Sequence, residues 1–392
     1  MAKKQFILIM TDSQRRDMIS RCNERGENMH TPCLDRLCEE GLAFNSAYTT
    51  QPVCGPARAG LFTGTYPHTN GMLGNCMALS QQSLTIGQRL SHAGIHAAYI
   101  GKWHLDGGDY FGDGICPDGW DNEYWYDMRN YLDELESDKD RERSRKLETA
   151  LEGDGIGEEF TYGYRCTKRA LDFMEKHKDE DYFLVVSYDE PHHPFLAPKS
   201  YYEPFYKPYL QKANQHMDFS KLPDHIKVWH EKYMEIQGGN GDGCAVGLLG
   251  SNSFIDSQIG RVLEGAKKNA EEALVLYTSD HGDAQGSHGI HAKGPAMYEE
   301  ITNIPFIVRW KDKIDRGISS EMPVSHIDVV PTILDFYGLP QPESLEGESL
   351  LADLTDRDIT KKKEGRPVFV EFNRYEVDHD GWGGFQPVRC IV

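Results

Sequence analysis

Short apolar runs recur along the chain, and polar or glycine residues follow most of them. The runs are Phe6–Met10, His96–Ile100, Tyr182–Ser187, Ala273–Thr278 and Ile304–Trp310. The first four lack the alternation of a half-exposed strand, so they are typical of parallel strands that are buried on both faces. We therefore predict that these runs form the centre of one sheet.

Helical patterns occupy the intervals between the runs. They cover Cys33–Glu40, Leu84–Ala93, Thr167–Lys176 and Ser253–Lys267. Alternating strands and helices predict an open α/β sheet, whose ligands bind beyond the carboxyl ends of the strands. The polar residues at those ends include Asp12, Lys102, Asp189 and Asp280. We expect the chemistry of the protein at this edge of the sheet.

Three segments depart from the alternation. The charged stretch 127–160 predicts a solvated insertion, and the stretch 201–243 predicts an excursion that borders the pocket. Residues 1–365 then form one α/β domain. Residues 366–392 begin a small C-terminal subdomain, which we expect to be truncated because the chain stops on an apparent strand.

Composition excludes several classes of protein. Hydrophobic residues at 39% and aromatic residues at 11% rule out a disordered chain. The 392 residues include 42 Lys and Arg against 62 Asp and Glu, so the net charge is −20. This balance argues against binding to nucleic acid or to an anionic membrane. An anionic substrate would therefore require a local cationic pocket.

The sequence predicts a soluble, cytoplasmic protein. Its nine cysteines are odd in number and scattered, unlike a disulfide framework. The apolar run from Gln5 to Met10 is too short for a signal peptide and ends without a cleavage site. No stretch approaches the roughly 20 apolar residues that cross a bilayer.

The strongest local signal is Cys54-Gly-Pro-Ala-Arg58. The glycine and proline indicate a tight turn that opens into a helix, which places Cys54 near a helix N-terminus, where anions are favoured. Arg58 would lie one turn further on the same face, able to hold Cys54 or an anion. A lone cysteine is more often a buried core residue, so this motif needs support from the rest of the chain.

That support comes from further motifs in a fixed order. A strand ending at Asp12 and the Cys54 motif are followed by Gly101–Leu105, Pro191–Phe195, Ser279–Asp283 and His291–Gly294. Together they resemble the type I sulfatases, the formylglycine-dependent sulfatases of the alkaline-phosphatase superfamily, over nearly the whole chain. The resemblance implies an α/β/α sandwich with a mostly parallel central sheet, and makes residues 1–365 a sulfatase catalytic domain.

The resemblance implies that Cys54 is oxidised after translation to formylglycine, which requires a formylglycine-generating or radical maturase enzyme as a partner. A hydrated aldehyde carries two hydroxyls on one carbon. One attacks sulfur, and the other then expels sulfate by collapse to the aldehyde. A plain thiol lacks the second hydroxyl and would be trapped after the first step.

The resemblance also implies a divalent metal, which would lower the pKa of the nucleophile and neutralise sulfate oxygens. The matching ligands are Asp12, Ser13, Asp280 and His281. Ser13 departs from the family, which usually has a carboxylate or an amide there, so Ser13, Gln14 or water completes the set. Ca²⁺ is the first expectation, and the imidazole of His281 keeps Mn²⁺ or Mg²⁺ open.

The remaining site residues follow from the same resemblance. Lys102 and Lys293 match the lysines that bind sulfate, and His104 matches the histidine that orients the second hydroxyl. His192 matches the histidine that contacts the ester oxygen and is the expected general acid, with His193 ranked second. His68 is expected to be structural, and His288, His291 and Asp283 are expected either to be structural or to support the residues that bind the ligand.

The sequence therefore predicts a sulfuric ester hydrolase that acts on a small sulfate ester, expected to be a sulfated carbohydrate. A phosphonate monoester or phosphodiester hydrolase with the same site is the alternative. The remaining alternative is a non-catalytic anion-binding protein in which Cys54 is unmodified. Trp103, Trp120, Trp125 and Trp382 are candidates for stacking on a sugar ring, and assembly into a homo-oligomer is left open.

Overall fold

A computed structural model describes residues 3–23, 29–108, 110–146, 156–205, 217–237, 242–361, 366–376 and 387–392. The strands are β1 Gln5–Thr11, β2 Leu42–Phe44, β3 Ala47–Tyr48, β4 His96–Gly101, β5 Tyr182–Ser187, β6 Leu274–Ser279, β7 Phe306–Arg309, β8 Ile318–Ser320, β9 Val324–Ser325, β10 Phe369–Phe372 and β11 Val388–Ile391. The α-helices are α1 Pro32–Glu40, α2 Cys54–Thr63, α3 Pro67–Asn70, α4 Ile86–His92, α5 Met128–Asp133, α6 Asp138–Arg143, α7 Tyr162–Lys176, α8 Asp224–Gln237, α9 Asp242–Asn269, α10 Glu299–Thr302, α11 Val329–Tyr337 and α12 Leu351–Leu354.

The central sheet has seven strands in the order β4-β5-β1-β6-β7-β2-β8. Strands β4, β5, β1 and β6 are parallel, whereas β7 is antiparallel to both of its neighbours. Thr11 on β1 pairs with Ser279 on β6, and Gly101 on β4 pairs with Ser187 on β5. The carboxyl ends of these four strands thus lie at one edge, as the sequence predicts.

Helices cover both faces of the sheet. Alternate residues of β1 enter opposite cores: Phe6, Leu8 and Met10 pack on the side of α2, α4 and α11, and Ile7 and Ile9 pack on the side of α1, α7 and α9. Every residue of β1, β5 and β6 is buried. Two-sided burial explains why these strands read as continuous apolar runs, and the predicted α/β/α sandwich is confirmed.

Two helices begin earlier than the apolar pattern indicates. Helix α7 begins at Tyr162 and not at Thr167, because the side chain of Thr161 caps it by accepting a hydrogen bond from the Tyr164 N–H. Helix α9 begins at Asp242, inside a glycine-rich stretch, and not at Ser253. Caps and glycines carry no hydrophobic period, so periodicity alone places these starts too late.

The charged segment 127–160 is only partly solvated, which corrects the prediction. Met128, Tyr131 and Leu132 of α5 are buried, and Tyr131 is 2% exposed. Helix α6, in contrast, buries none of its residues. The prediction treated the segment as one unit, so the high charge of α6 outweighed the apolar residues of α5. Residues 147–155 of the segment lie outside the described residues.

The predicted excursion 201–243 is described at 201–205, 217–237 and 242–243. Trp229 on α8 is fully buried, and its indole N–H donates to the His291 carbonyl at 2.9 Å. The excursion therefore packs against the segment that carries Lys293.

The C-terminal segment packs on the loop that leads into α2. Strand β10 pairs antiparallel with β11, and residues 377–386, with Trp382, lie outside the described part. The Glu371 N–H donates to the Thr50 carbonyl at 2.9 Å, and the Asn75 N–H donates to the Tyr375 carbonyl at 2.8 Å. Whether residues 366–392 form a truncated subdomain stays a prediction.

No helix in the described part of the chain combines the length and the apolar character needed to span a bilayer.

Candidate active site

The predicted site residues converge at the carboxyl edge of the sheet. Asp12 follows β1, Lys102 follows β4, and Asp280 and His281 follow β6. Cys54 is the first residue of α2. Of the predicted site residues, His192 is half-buried and the others are buried. Side chains far apart in sequence thus share one buried region.

Cys54 lies at the centre of the group. Its Sγ is 3.2 Å from His281 Nε2, 3.2 Å from Lys293 Nζ and 3.7 Å from Asp12 Oδ1. Helix α2 is buried over its whole length, so its start is fixed by packing. At Gly55 a Cβ would lie 2.6 Å from the terminal methyl of Met72, so a larger residue after the cysteine would require Met72 to move.

Arg58 binds the two carboxylates of the site. Its Nη2 is 3.2 Å from Asp12 Oδ2, and its Nε is 3.0 Å from Asp280 Oδ2. Its Nη1 donates to the Lys102 carbonyl at 2.6 Å and to Ser187 Oγ at 2.8 Å. These contacts make Arg58 a residue that positions Asp12 and Asp280, rather than one that holds Cys54.

Four potential metal donors lie within 4.8 Å of one another: Asp12, Cys54, Asp280 and His281. His281 Nε2 is 3.8 Å from Asp12 Oδ1 and 3.6 Å from Asp280 Oδ1. Two carboxylates and an imidazole at these separations can share one ion. The donor set of two oxygens and one ring nitrogen fits a divalent cation.

The structure separates the alternatives at the fourth predicted ligand. Ser13 has φ +67, and its hydroxyl donates to Asp12 Oδ1 at 2.8 Å. Gln14 faces away from the site, because its Nε2 donates to Asn252 Oδ1 and its Oε1 accepts from the Tyr277 hydroxyl. Gln14 is therefore the weakest of the three alternatives, and Ser13 or water remains.

The two carboxyls respond differently to burial. Burial and the neighbouring charge of Asp12 raise the pKa of Asp280 to about 7, although His281 and Arg58 oppose the rise. Burial also acts on Asp12, but Lys102, His192 and Lys293 overcome it and hold its pKa well below the ordinary value. Repulsion between two buried carboxylates is what a bound cation relieves, so this pair fits a metal site.

Two buried lysines make the pocket cationic. Lys102 Nζ is 2.7 Å from Asp12 Oδ2 and 3.1 Å from Asp189 Oδ1. Burial lowers the pKa of each lysine, but nearby anions outweigh it, so Lys102 and Lys293 stay charged. Burial and Asp12 raise the pKa of the Cys54 thiol, yet Lys293, Lys102 and His281 bring it well below its usual range. The group is suited to a negatively charged ligand.

His104 is buried beside the cysteine in its uncharged form. Its backbone has φ +61, and its side chain is hydrogen-bonded to Cys54. Burial lowers the pKa of His104, and the hydrogen bond opposes this only in part. A neutral imidazole can accept a proton from a hydroxyl at the position of Cys54.

His192 presents one ring nitrogen to the site. Its Nε2 is 3.2 Å from Lys293 Nζ and 4.0 Å from Asp12 Oδ1. Its Nδ1 lies 2.7 Å from the His193 carbonyl oxygen, which can only accept, so Nδ1 carries a hydrogen. The competing side chain of His193 is exposed and packs edge-on against Phe195. His192 is the better placed of the two.

Two residues behind His192 escaped the sequence-based prediction of the site. The Tyr110 hydroxyl is 3.0 Å from His192 Nδ1 and donates to Asp189 Oδ1. Lys102 Nζ lies 4.0 Å from the centre of the Tyr110 ring. The position of Asp189 just after a predicted strand indicated that it lies near the site. Tyr110 lies in a glycine-rich loop between predicted elements, and no sequence pattern indicated its role.

Two further histidines singled out in the sequence contact carboxylates. His68 Nδ1 is 2.9 Å from Glu371, and His288 Nε2 is 2.9 Å from Glu300. Trp103, Trp120 and Trp125 belong to the core on one face of the sheet, so the suggestion that they stack on a sugar is wrong.

Comparisons with known proteins show the family of the chain. Residues 4–339 match a family model described as sulfatase. Over its whole length the chain is 43% identical to the uncharacterized sulfatase YidJ of Escherichia coli strain K12, of which it spans 78%.

Two solved structures show the same fold. BT4656, solved in complex with its substrate D-glucosamine-2-N,6-O-disulfate, aligns with the whole chain at a TM-score of 0.78 and 21% identity, with 87% of that protein covered. The phosphonate monoester hydrolase of Agrobacterium radiobacter aligns with 96% of the chain at a TM-score of 0.75 and 18% identity, with 82% covered.

Proposed function

Because the chain belongs to the sulfatase family and is a sulfuric ester hydrolase, we propose that it cleaves the sulfate ester of a carbohydrate with Cys54, in its formylglycine form, as the nucleophile. The observation that carries this proposal is the position of Cys54. Its Sγ lies 3.2 Å from the Lys293 ammonium and within reach of the paired carboxylates Asp12 and Asp280.

Asp12, Asp280 and His281, with Ser13 or a water molecule, would hold a divalent ion, with Ca²⁺ the first choice and Mn²⁺ or Mg²⁺ as alternatives. When bound, the ion supplies positive charge beside the sulfate oxygens and lowers the pKa of the nucleophile. Arg58 keeps the two carboxylates in place through its contacts at 3.2 and 3.0 Å.

Oxidation of Cys54 to formylglycine supplies a hydrated aldehyde, with one hydroxyl for attack and a second that allows sulfate to leave. Lys102 and Lys293 bind the sulfate oxygens, because both ammonium groups are buried next to the nucleophile. Fixed charges in a buried site stabilise the developing negative charge of the transition state. His104, neutral and hydrogen-bonded to residue 54, is placed to take the proton of the second hydroxyl.

His192 is the proposed general acid for the leaving oxygen. Its Nε2 faces the site, and its Nδ1–H is held by the His193 carbonyl and the Tyr110 hydroxyl. Tyr110 in turn donates to Asp189, which Lys102 and His192 keep ionised despite its burial. Tyr110 and Asp189 are therefore proposed as positioning residues, which hold the Nδ1–H of His192 and fix the direction of its Nε2. To act as the general acid, His192 carries a second hydrogen on Nε2 and gives it to the leaving oxygen.

The carbohydrate part of the proposal rests on relatedness of fold. BT4656 was solved with a disulfated glucosamine as its substrate, and the present chain aligns with it over its full length. A phosphonate monoester hydrolase shares the fold at a TM-score of 0.75. The departure from the family at Ser13 and the imidazole of His281 keep a second reaction open. Hydrolysis of phosphonate monoesters or phosphodiesters is the second candidate.

The experiment combines mass spectrometry of the Cys54 peptide with parallel assays on 4-nitrophenyl sulfate, a panel of sulfated sugars and a phenyl phosphonate ester. We expect the aldehyde mass at Cys54 and hydrolysis of sulfate esters, with the highest kcat/KM on a sulfated sugar. A Cys54→Ala variant should abolish turnover. Cys166→Ala, a matched change of a buried cysteine elsewhere, should retain it.

Each part of the proposal has its own contrary result. Full activity in Cys54→Ala refutes the nucleophile. Preference for the phosphonate ester selects the second candidate. An unmodified Cys54 in an inactive protein, produced with its maturase, would indicate an anion-binding protein.

A further inference from the structure

A second group of potential metal ligands lies at the opposite edge of the sheet. His96 is the first residue of β4, His177 follows the last residue of α7, and Glu180 precedes β5. Lys102 and Cys54 stand beyond the other end of these strands. Strand β4 rises about 3.3 Å per residue, so the two groups are separated by roughly 17 Å along that strand. The proposed reaction uses none of these residues.

His96 lies between two carboxylates. Its Nε2 is 2.5 Å from Asp121 Oδ2, and its Nδ1 is 3.3 Å from Glu180 Oε2. A neutral imidazole has one N–H. The short contact to Asp121 takes that hydrogen, so the lone pair of Nδ1 points at a carboxylate oxygen. Either a second proton or a metal ion must lie between these two atoms.

His177 presents a second nitrogen to the same carboxylate. Its Nδ1 is 3.1 Å from Glu180 Oε1, and the rings of His96 and His177 are 4.7 Å apart. The Nδ1 atom is buried, and within the described part of the chain no group makes a hydrogen bond of ordinary geometry to it. His96, His177 and Glu180 each offer one ligand atom, and these atoms lie within 4.8 Å of one another.

The separations match those of a zinc site. Ligand atoms about 2.1 Å from a tetrahedral zinc ion lie roughly 3.4 Å from one another. His96 Nδ1 is 3.3 Å from Glu180 Oε2, and His177 Nδ1 is 3.1 Å from Glu180 Oε1, so each imidazole contacts a different oxygen of the carboxylate. Asp121 holds the other nitrogen of His96, the carboxylate–histidine arrangement that orients imidazoles at zinc sites.

The ligands are held in place before any ion binds. The ring of His177 packs on Phe173 at 4.6 Å and on Tyr124 at 5.7 Å. The Glu180 N–H donates to the His177 carbonyl at 2.9 Å, which closes the turn between them. Side-chain exposure is 26% for His96 and 20% for His177, whereas Glu180 is 51% exposed. The open side leaves room for water as a fourth ligand.

We propose that His96 Nδ1, His177 Nδ1 and the Glu180 carboxylate bind one Zn²⁺ ion, with Asp121 orienting His96. The ion fastens the start of β4 to the turn between α7 and β5. It stabilises the fold and takes no part in sulfate-ester hydrolysis, because it lies at the far edge of the sheet.

The test is a Zn²⁺ titration of the full-length, active protein with Ca²⁺ in excess, followed by calorimetry and by metal analysis after gel filtration. We compare the wild type with His177→Gln and Glu180→Gln, and with His92→Gln as a control on an exposed histidine. The wild type and the control should bind one more equivalent of Zn²⁺ than the two site variants. Zn²⁺ should raise their Tm by a few degrees, with little effect on the site variants.

Co²⁺ provides an independent readout, because a tetrahedral site with nitrogen ligands gives intense visible absorption. The wild type should show it at one equivalent, and His177→Gln should lose it while keeping its hydrolytic kcat/KM. Equal Zn²⁺ stoichiometry in wild type and variants would overturn the proposal. So would a wild type that binds no additional Zn²⁺, since protons alone would then occupy the cluster.

Discussion

Around Cys54, each buried charge has a partner of opposite sign. Lys102 contacts both Asp12 and Asp189, and Arg58 contacts both Asp12 and Asp280. Removing one member of such a group leaves its partner uncompensated, so truncation of these side chains would disturb both the fold and the chemistry. The informative substitutions are therefore conservative ones at the edge of the group.

Tyr110→Phe is one such substitution. It removes the hydroxyl between His192 and Asp189 and keeps the ring under Lys102. We expect kcat/KM to fall by about 10- to 100-fold on an alkyl or sugar sulfate, whose poor leaving group needs a proton. On 4-nitrophenyl sulfate the loss should be under about threefold, because 4-nitrophenolate leaves without protonation.

The measurement is the ratio of kcat/KM values for the two leaving groups. The control is Tyr201→Phe, which removes a hydroxyl that bonds Glu158 and Ser257 away from the site. If Tyr110→Phe lowers kcat/KM equally on both substrates, Tyr110 has a structural role and does not position His192.

His326 contributes to the dependence of stability on pH in acid. Its Nε2 donates to the Ser279 carbonyl at 2.9 Å, and burial lowers its pKa to about 4. An unfolded histidine has a pKa near 6.5, so between about pH 4 and 6.5 the unfolded chain binds more protons than the native protein. This histidine therefore lowers the free energy of unfolding as pH falls through that window.

His326→Gln keeps a side-chain N–H that can donate to the Ser279 carbonyl and removes the group that takes up a proton in acid. Between pH 7 and pH 5, the variant should lose about 2 kcal/mol less unfolding free energy than the wild type. Urea unfolding at both pH values measures the difference, with His92→Gln as the control for an exposed histidine. Parallel losses in wild type and His326→Gln would contradict the assignment.

At the scale of helices and strands, the sheet positions the site because the ends of β1, β4, β5 and β6 are in register. Gly101 is the tightest point of this arrangement. Its φ is +123, and a Cβ there would lie 1.8 Å from the Ser187 carbonyl oxygen on β5. The next residue is Lys102, so this close approach also sets the position of a proposed sulfate-binding group.

Gly101→Ala should therefore lower the Tm by several degrees and reduce kcat/KM, because β4 must move away from β5. Gly94→Ala is the matched control, since Gly94 also has a positive φ, +75, but nothing lies within 4 Å of its Cβ position. It tests backbone strain without the clash. Differential scanning fluorimetry and steady-state kinetics of both variants measure these effects. Equal losses of Tm and kcat/KM at the two glycines would rule out the steric explanation.

The strands were predictable because burial on both faces leaves an apolar run that is readable in the sequence. The start of α9 was not, since the glycines around Asp242 resemble a loop. Asp12, Cys54 and Asp280 could be found from their motifs. Tyr110 could not, because its role depends on contacts with Asp189 and His192, which are distant in sequence. The sequence also could not show that Arg58 positions Asp12 and Asp280 and does not hold Cys54, because this depends on side-chain contacts seen only in the structure.

For the whole molecule, the main electrostatic contrast is between a net charge of −20 and a buried pocket with two charged lysines. The global field repels anions, so capture of a sulfate ester depends on the pocket alone. Salt weakens the long-range repulsion more than the buried contacts. The metal donors belong to this pocket, and they connect β1 to β6 across the centre of the sheet.

Removal of the metal should accordingly affect both activity and stability. Exhaustive chelation should abolish hydrolysis of a sulfate ester and lower the Tm, because Asp12 and Asp280 then repel each other in a buried site. Re-addition of Ca²⁺, Mn²⁺ and Mg²⁺ in separate samples should restore activity to different extents and identify the preferred ion. Unchanged activity in a protein that metal analysis shows to be free of divalent ions would refute the metal site.

The burial of α2 constrains when the protein can mature. Cys54 is 1% exposed, and the helix that it begins is buried over its whole length and packs against α3, α4 and α11. An enzyme that must grasp the peptide around this cysteine cannot do so in the native protein. If Cys54 is converted to the aldehyde as proposed, the conversion must precede the folding of α2, so the modifying enzyme must be present when the protein is produced, and adding it to the folded, purified protein would come too late.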